Sequence, residues 1–144
     1  GDAATGLTSM HGQAEVDENL REICAFKHYA KKNKFMDYIW CRNKDIRSSE
    51  WQSCTGSNGI ATAKIKSCFE GEGKKLHEED IKIANSLGIG ASPTWLVNGR
   101  YKFSGIDAET IRKNVCEHNP GLKGCENKLS AAGPGASPQG GCGQ

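Results

Sequence analysis

The sequence predicts an α+β fold in which a helical region, cross-linked by disulfides, precedes a β-hairpin and a final helix. Apolar residues recur at three- and four-residue steps through much of residues 12–88, the spacing of amphipathic helices. Two apolar segments, "TWLV" and "RYKF", then flank Asn98-Gly99, which is a strong hairpin signal. The chain also has seven cysteines in 144 residues, at wide spacings that suit structural disulfides.

Several short helices are predicted in the first part of the chain. The first begins at Gly12 and carries on one face Val16, Leu20, Ile23 and Cys24. After the break at "KKNK", further helices are predicted over 35–43, 60–71 and 74–87. Between them, Ser48 or Ser49 is expected to cap a short helix that carries Trp51 and Cys54.

The second part of the chain has a different pattern. Asn98 and Gly99 both suit the positive φ angles of a type I′ turn, and Asp107 is expected to cap the last helix, "AETIRKNVCEH". The final residues are rich in Gly, Pro, Ser and Ala, a composition typical of disorder. The predicted organisation is a loop or ragged strand, a helical region, a hairpin with its helix, and a disordered tail, over 1–11, 12–88, 89–128 and 129–144.

Charge and hydropathy argue against two classes of partner. Nineteen basic and 17 acidic residues give a net charge of +2, so there is no strong field for nucleic acid. No apolar run approaches the roughly 18–20 residues of a membrane helix, so membrane insertion is not expected. No signal peptide is recognisable, and an exported protein would be present here in a mature or trimmed form.

The cysteines indicate an oxidising, extracytoplasmic compartment, which is periplasmic, secreted or lumenal. Cys116 and Cys125 bracket a short turn and are expected to pair. Two further disulfides are expected among Cys24, Cys41, Cys54 and Cys68, whose three possible connectivities the sequence does not distinguish. Cys142 is left as a free thiol in the tail, and we interpret it as incidental.

Metal binding is the alternative use of these cysteines. Cys24 and His28 share a helix face, and Cys116 and His118 are close in sequence. The chain has no CxxC, however, either of the redox or of the zinc-ribbon kind, so no metal and no cofactor is predicted. The histidines show no pairing with a cysteine that would make a Cys–His nucleophile, and no catalytic residue is assigned among His11, His28, His77 and His118.

The order and spacing of several short motifs resemble a known family. These are "SMHG", "REIC", "YIWC", "IKSC", "SPTWLVNG" and "NVCEHNPGLKGC". Over about residues 9–126 the chain resembles the DsbA-like branch of the thioredoxin fold that includes gamma-interferon-inducible lysosomal thiol reductase and the lumenal thioredoxin-like part of plant vacuolar sorting receptors. The resemblance implies that 12–88 is a helical insertion and that 89–128 is the C-terminal β-β-α part of a thioredoxin-like fold.

The resemblance also implies a substrate-binding loop. Pro93 would be the cis-proline of such folds, Ser92 would face the substrate, and Trp95 would help to hold it. Catalytic members act through a CxxC that precedes the helical insertion, and this chain begins after that point. We therefore expect a portion of an exported thiol–disulfide oxidoreductase that is inactive as given, with its nucleophile before Gly1.

A noncatalytic role is the alternative. Without the strand that precedes the insertion, the hairpin would be a marginal two-stranded sheet whose open edge could accept a peptide or a partner strand. The chain would then be a secreted binding or assembly module. The expected partner is a protein or peptide substrate with cysteines, or a second chain that completes the sheet.

Overall fold

The computed structural model describes residues 6–130, and the chain separates into two compact units, 1–86 and 87–144. The described part is α+β, mostly helical with a two-stranded antiparallel sheet, which confirms the coarse fold class. The thioredoxin-like assignment stays a prediction. The tail predicted to be disordered lies almost wholly outside the described residues. Cys142 belongs to that part of the chain.

The first unit is built from helices with short connections. They are α1 (Gln13–Tyr29), α2 (Phe35–Arg42), α3 (Ser53–Gly56), α4 (Thr62–Glu70) and α5 (Gly73–Ser86). A 3₁₀ turn over Lys31–Asn33 separates α1 from α2 where the sequence reads "KKNK". The long first helix is central to this unit, because it packs against α2, α4 and α5.

The predicted cap of the short helix is wrong. The helix α3 begins at Ser53, so that Trp51 precedes it, and no side chain caps it. Ser48 is used in a local turn instead, where its hydroxyl accepts a hydrogen bond from the backbone N–H of Glu50 at 3.1 Å. Serine hydroxyls stabilise turns by the same bonds with which they cap helices, and sequence alone does not separate the two uses here.

The core of the first unit contains two disulfides as well as apolar side chains. Its buried members are Cys24, Ala25, Tyr38, Cys54, Ile60, Ile65 and Cys68. A smaller cluster lies at the start of α1 and contains Leu7, Val16 and Leu20. The cross-links therefore lie inside the packed interior and not only at its surface.

A buried carboxylate joins α1 to α2. Glu18 Oε1 accepts hydrogen bonds from the Tyr38 hydroxyl at 2.9 Å and from Arg42 Nε at 2.8 Å. The guanidinium of Arg42 also donates to the carbonyl oxygens of Ile46 and Ser48, at 3.2 and 2.9 Å. The charge of Arg42 is thus compensated inside the protein, and the loop after α2 is held by the same side chain.

The second unit contains the predicted hairpin and last helix, as β1 (Trp95–Val97), β2 (Tyr101–Phe103) and α6 (Ala108–Glu117). Asn98 and Gly99 have φ angles of 53° and 70°, as a type I′ turn requires. The side chain of Asp107 caps α6 by accepting a hydrogen bond from the Thr110 N–H at 2.8 Å. Local sequence rules therefore account for both elements.

Candidate functional site

Every cysteine of the described residues is in a disulfide. Cys24 pairs with Cys68 and Cys41 with Cys54, with Cα–Cα distances of 5.9 and 5.5 Å. The third bond joins Cys116 to Cys125 across the end of α6. The expected disulfide cross-linking is confirmed, and the connectivity that the sequence left open is 24–68 and 41–54.

The disulfides differ in their access to solvent. Cys24 and Cys68 are 0% and 4% exposed, whereas Cys41, Cys116 and Cys125 are half-buried. Thiol–disulfide exchange requires a thiolate to reach a sulfur atom. The 24–68 bond is therefore protected while the first unit stays folded.

The structure brings a histidine close to a disulfide sulfur, although Cys68 is bonded to Cys24 and therefore forms no Cys–His nucleophile with it. Donor atoms of His28, Cys68 and Glu72 all lie within 4.8 Å of one another. His28 Nε2 lies 3.5 Å from Glu72 Oε1. Lys27 donates a hydrogen bond to Glu72, which is the largest cause of a lowered pKa at that carboxyl, and His28 adds to it.

Sequence reasoning missed this cluster because its members are far apart along the chain. His28 is at the end of α1, whereas Cys68 and Glu72 are at the end of α4 and just beyond it. The one available signal was the spacing of Cys24 and His28, which places both on one face of α1. The disulfide that starts from Cys24 then brings Cys68 to that same face.

The entrance of the hairpin is a surface feature of the second unit. The peptide bond between Ser92 and Pro93 is cis. Ser92 and Trp95 are exposed and Pro93 is half-buried. The indole of Trp95 donates to the Gly105 carbonyl at 2.8 Å and stacks on Phe103, with ring centroids 6.3 Å apart. The exposed aromatic ring is thus fixed in orientation.

A shallow cleft lies beside this entrance. It is lined by Gly88, Gly90, Ala91, Thr94, Lys102, Phe103 and Ser104. Lys102 Nζ donates to the Leu87 carbonyl at 2.7 Å, so this ammonium is held at one side of the cleft. Within residues 6–130, the only sheet neighbour of β1 is β2, which leaves the other edge of β1 without a paired strand.

Comparison with known proteins gives one family. Residues 1–58 match the family model of gamma interferon inducible lysosomal thiol reductase (GILT). The chain is similar to GILT-like thiol reductases. No curated protein matched the sequence, and no solved structure matched it.

The match to GILT covers α1 to α3 with Cys24, Cys41 and Cys54, and it ends before α4, which carries Cys68. It supports the thiol reductase relationship expected from the sequence. The DsbA-like placement and the roles of Ser92, Pro93 and Trp95 stay predictions. No helix in the described part of the chain is both long and apolar enough to cross a membrane. The three disulfides are consistent with an extracytoplasmic location.

Proposed function

We propose that this chain is part of an extracytoplasmic thiol–disulfide oxidoreductase with a lumenal, lysosome-type location. The observation that carries the proposal is the match of residues 1–58 to the GILT family model. The disulfides of both units support it, because such bonds persist in oxidising compartments. The substrate class is a protein or peptide that contains a disulfide.

The reaction would be exchange through a mixed disulfide. A thiolate attacks one sulfur of the substrate disulfide, the substrate S–S bond breaks, and the second substrate sulfur leaves as a thiolate. A second thiol of the enzyme then displaces the reduced substrate and forms the enzyme disulfide. Within residues 6–130 all cysteines are already paired, so the proposal places the redox-active pair outside these residues.

The contribution of this chain would be to hold the substrate. The open edge of β1 offers main-chain groups to an extended peptide, as in β-augmentation. The exposed ring of Trp95 offers an apolar contact beside Ser92 and Pro93, and its orientation is fixed by its bond to Gly105. A peptide held in this way would present its disulfide to the attacking thiolate.

The first experiment locates the redox-active pair. The chain from Gly1 to Gln144 is assayed for reduction of a self-quenched fluorescent disulfide peptide, with a dithiol as the electron source. We expect only the rate of the dithiol alone. The protein from its natural source is expected to accelerate the reaction. Catalysis by the isolated chain would contradict the placement of the nucleophile.

The second experiment tests the binding surface. A blocked, extended peptide is titrated into the chain, and binding is followed by NMR. Since a buried aromatic anchor contributes about 1–2 kcal/mol to binding, Trp95→Ala should weaken binding about tenfold. Trp40, which is exposed on α2 of the first unit, supplies the matched control Trp40→Ala. Equal affinities of the two variants would show that the hairpin entrance is not the binding surface.

A further inference from the structure

The cluster at the ends of α1 and α4 contains more than a disulfide. Donor atoms of His28, Cys68 and Glu72 lie within 4.8 Å of one another, and Cys24 Sγ is bonded to Cys68 Sγ. Two sulfurs, one imidazole nitrogen and one carboxylate oxygen are therefore gathered at one place. These are donor types that Zn²⁺ takes in tetrahedral protein sites.

The disulfide blocks this site in the oxidised protein, because zinc is bound by thiolates and not by a disulfide. We propose that reduction of the Cys24–Cys68 bond converts the cluster into a four-ligand zinc site formed by Cys24, His28, Cys68 and Glu72. The site thus depends on the redox state of one bond.

The chemistry balances with a dithiol as reductant. The S–S bond of Cys24–Cys68 takes up two electrons and two protons and gives two thiols, while the dithiol loses the same and becomes a disulfide. When Zn²⁺ binds, the two thiol protons are released to solvent. Reduction must wait for a local opening of the first unit, since both sulfurs are buried.

The distances allow the rearrangement. With Zn–S bonds of about 2.3 Å, the two sulfurs of a tetrahedral site are about 3.8 Å apart. The Cα atoms of Cys24 and Cys68 are 5.9 Å apart, and rotation of the side chains can then separate the sulfurs. Gly73 is buried beside them, and a side-chain carbon there would lie 3.4 Å from Cys24 Sγ. Glycine at this position therefore lets the backbone pass close to the disulfide.

Charge and access also suit a cation. Two thiolates and the Glu72 carboxylate carry three negative charges, and Zn²⁺ reduces the sum to one. Lys27, which pairs with Glu72 Oε2, supplies the compensating positive charge and leaves Oε1 on the side of His28. The side chains of His28 and Glu72 are 22% and 43% exposed, so an ion can reach the site from solvent through these two ligands.

The test uses Co²⁺ as a spectroscopic probe of the full chain. The protein is reduced anaerobically with a phosphine and titrated with Co²⁺ while the visible d–d bands and the thiolate-to-cobalt charge transfer are recorded. We expect the band intensity of a tetrahedral site in the reduced protein, displacement by Zn²⁺, and no such bands in the oxidised protein. Equal binding by the oxidised protein would overturn the proposal.

Reduction also frees the cysteines of the other disulfides, so the decisive variants change the non-sulfur ligands. His28→Ala is compared with His77→Ala, and Glu72→Gln with Glu79→Gln. Loss of a ligand should weaken Co²⁺ binding at least about tenfold, since loss of a group that only hydrogen-bonds to a metal ligand already lowers metal affinity by that factor. The control variants should bind Co²⁺ as the parent protein does. Unchanged affinity and bands in His28→Ala would overturn the assignment.

If the reduced chain unfolds, the zinc site can still be tested by its effect on folding. Far-UV circular dichroism is recorded for the reduced protein with and without Zn²⁺. If reduction lowers the helix content, Zn²⁺ should restore it in the parent protein and in His77→Ala but not in His28→Ala, because the site couples binding to folding. Failure of Zn²⁺ to restore helix in the parent protein would count against the site.

Discussion

Glu22 is predicted to make the stability of the first unit depend on pH. It lies on α1 and lines a cleft whose apolar wall is formed by Ile23, Phe26, Phe35 and Ile39. Burial is the largest cause that raises the pKa of Glu22 to about 7, the nearby Glu18 adds to it, and Arg42 opposes it. The remaining polar groups of the cleft are Asn19, His77 and Asp80.

The sign follows from the direction of this pKa change. Because the folded protein binds the Glu22 proton more tightly than the unfolded chain, the group stabilises the fold fully below pH 4.5 and loses this contribution as pH rises through about 7. At about 1.4 kcal/mol per pH unit, the change from 4.5 to about 7 sets an upper limit of about 3.4 kcal/mol. Glu22 is only half-buried, so solvent screening reduces the expected effect to about 1–2 kcal/mol.

The measurement is urea unfolding followed by far-UV circular dichroism at pH 5 and pH 8, with the disulfides intact. Glu22→Gln removes the titrating group and keeps its shape. We expect this variant to be about 1–2 kcal/mol more stable than the parent protein at pH 8, and to lose less stability between the two pH values. Glu79→Gln, on an exposed position of α5, is the control. The same pH dependence in Glu22→Gln and the parent protein would refute the reasoning.

Three further substitutions test the packing of each unit. Glu18→Gln should lower the free energy of unfolding by about 3 kcal/mol, because it leaves the buried charge of Arg42 uncompensated; a loss under about 1 kcal/mol in urea unfolding would contradict this. Asp107→Ala should lower the melting temperature by a few degrees through loss of the α6 cap. The hydrogen bond from Thr110 lowers the pKa of Asp107. The difference in melting temperature between the parent protein and Asp107→Ala should therefore disappear as pH falls through that lowered pKa. A difference that does not depend on pH would exclude the cap as its cause. Gly105→Ala should cost roughly 1–3 kcal/mol, because Gly105 has φ +142° and a Cβ there would lie 2.8 Å from Thr110 Cγ2; an unchanged thermal midpoint would contradict this.

Features set by neighbouring residues could be predicted from the sequence. The hairpin follows from Asn98-Gly99, since few other residues accept two successive positive φ angles. The cap at Asp107 follows from a carboxylate just before a helical pattern. Neither depends on the rest of the fold, and both are present in the structure.

Features that join distant parts of the chain could not be predicted. The four cysteines of the first unit allow three connectivities, and the choice is made by how α4 packs on α1. His28 and Glu72 are 44 positions apart in the sequence, and they come into contact only through that same packing. The burial of Glu18 could not be predicted from the sequence, because a carboxylate on a helix is ordinarily exposed. Hydrogen bonds from Tyr38 and Arg42 compensate the buried charge, and both partners are distant in the sequence.

The two disulfides of the first unit are nested, since Cys41 and Cys54 both lie between Cys24 and Cys68 along the chain. The exposed loop at 43–47 falls inside both covalent rings, and exposed loops are preferred sites of proteolytic cleavage. A single cut there would leave the two pieces joined by two covalent bonds. The first unit could be nicked by a protease and still migrate as one species until a reductant is added.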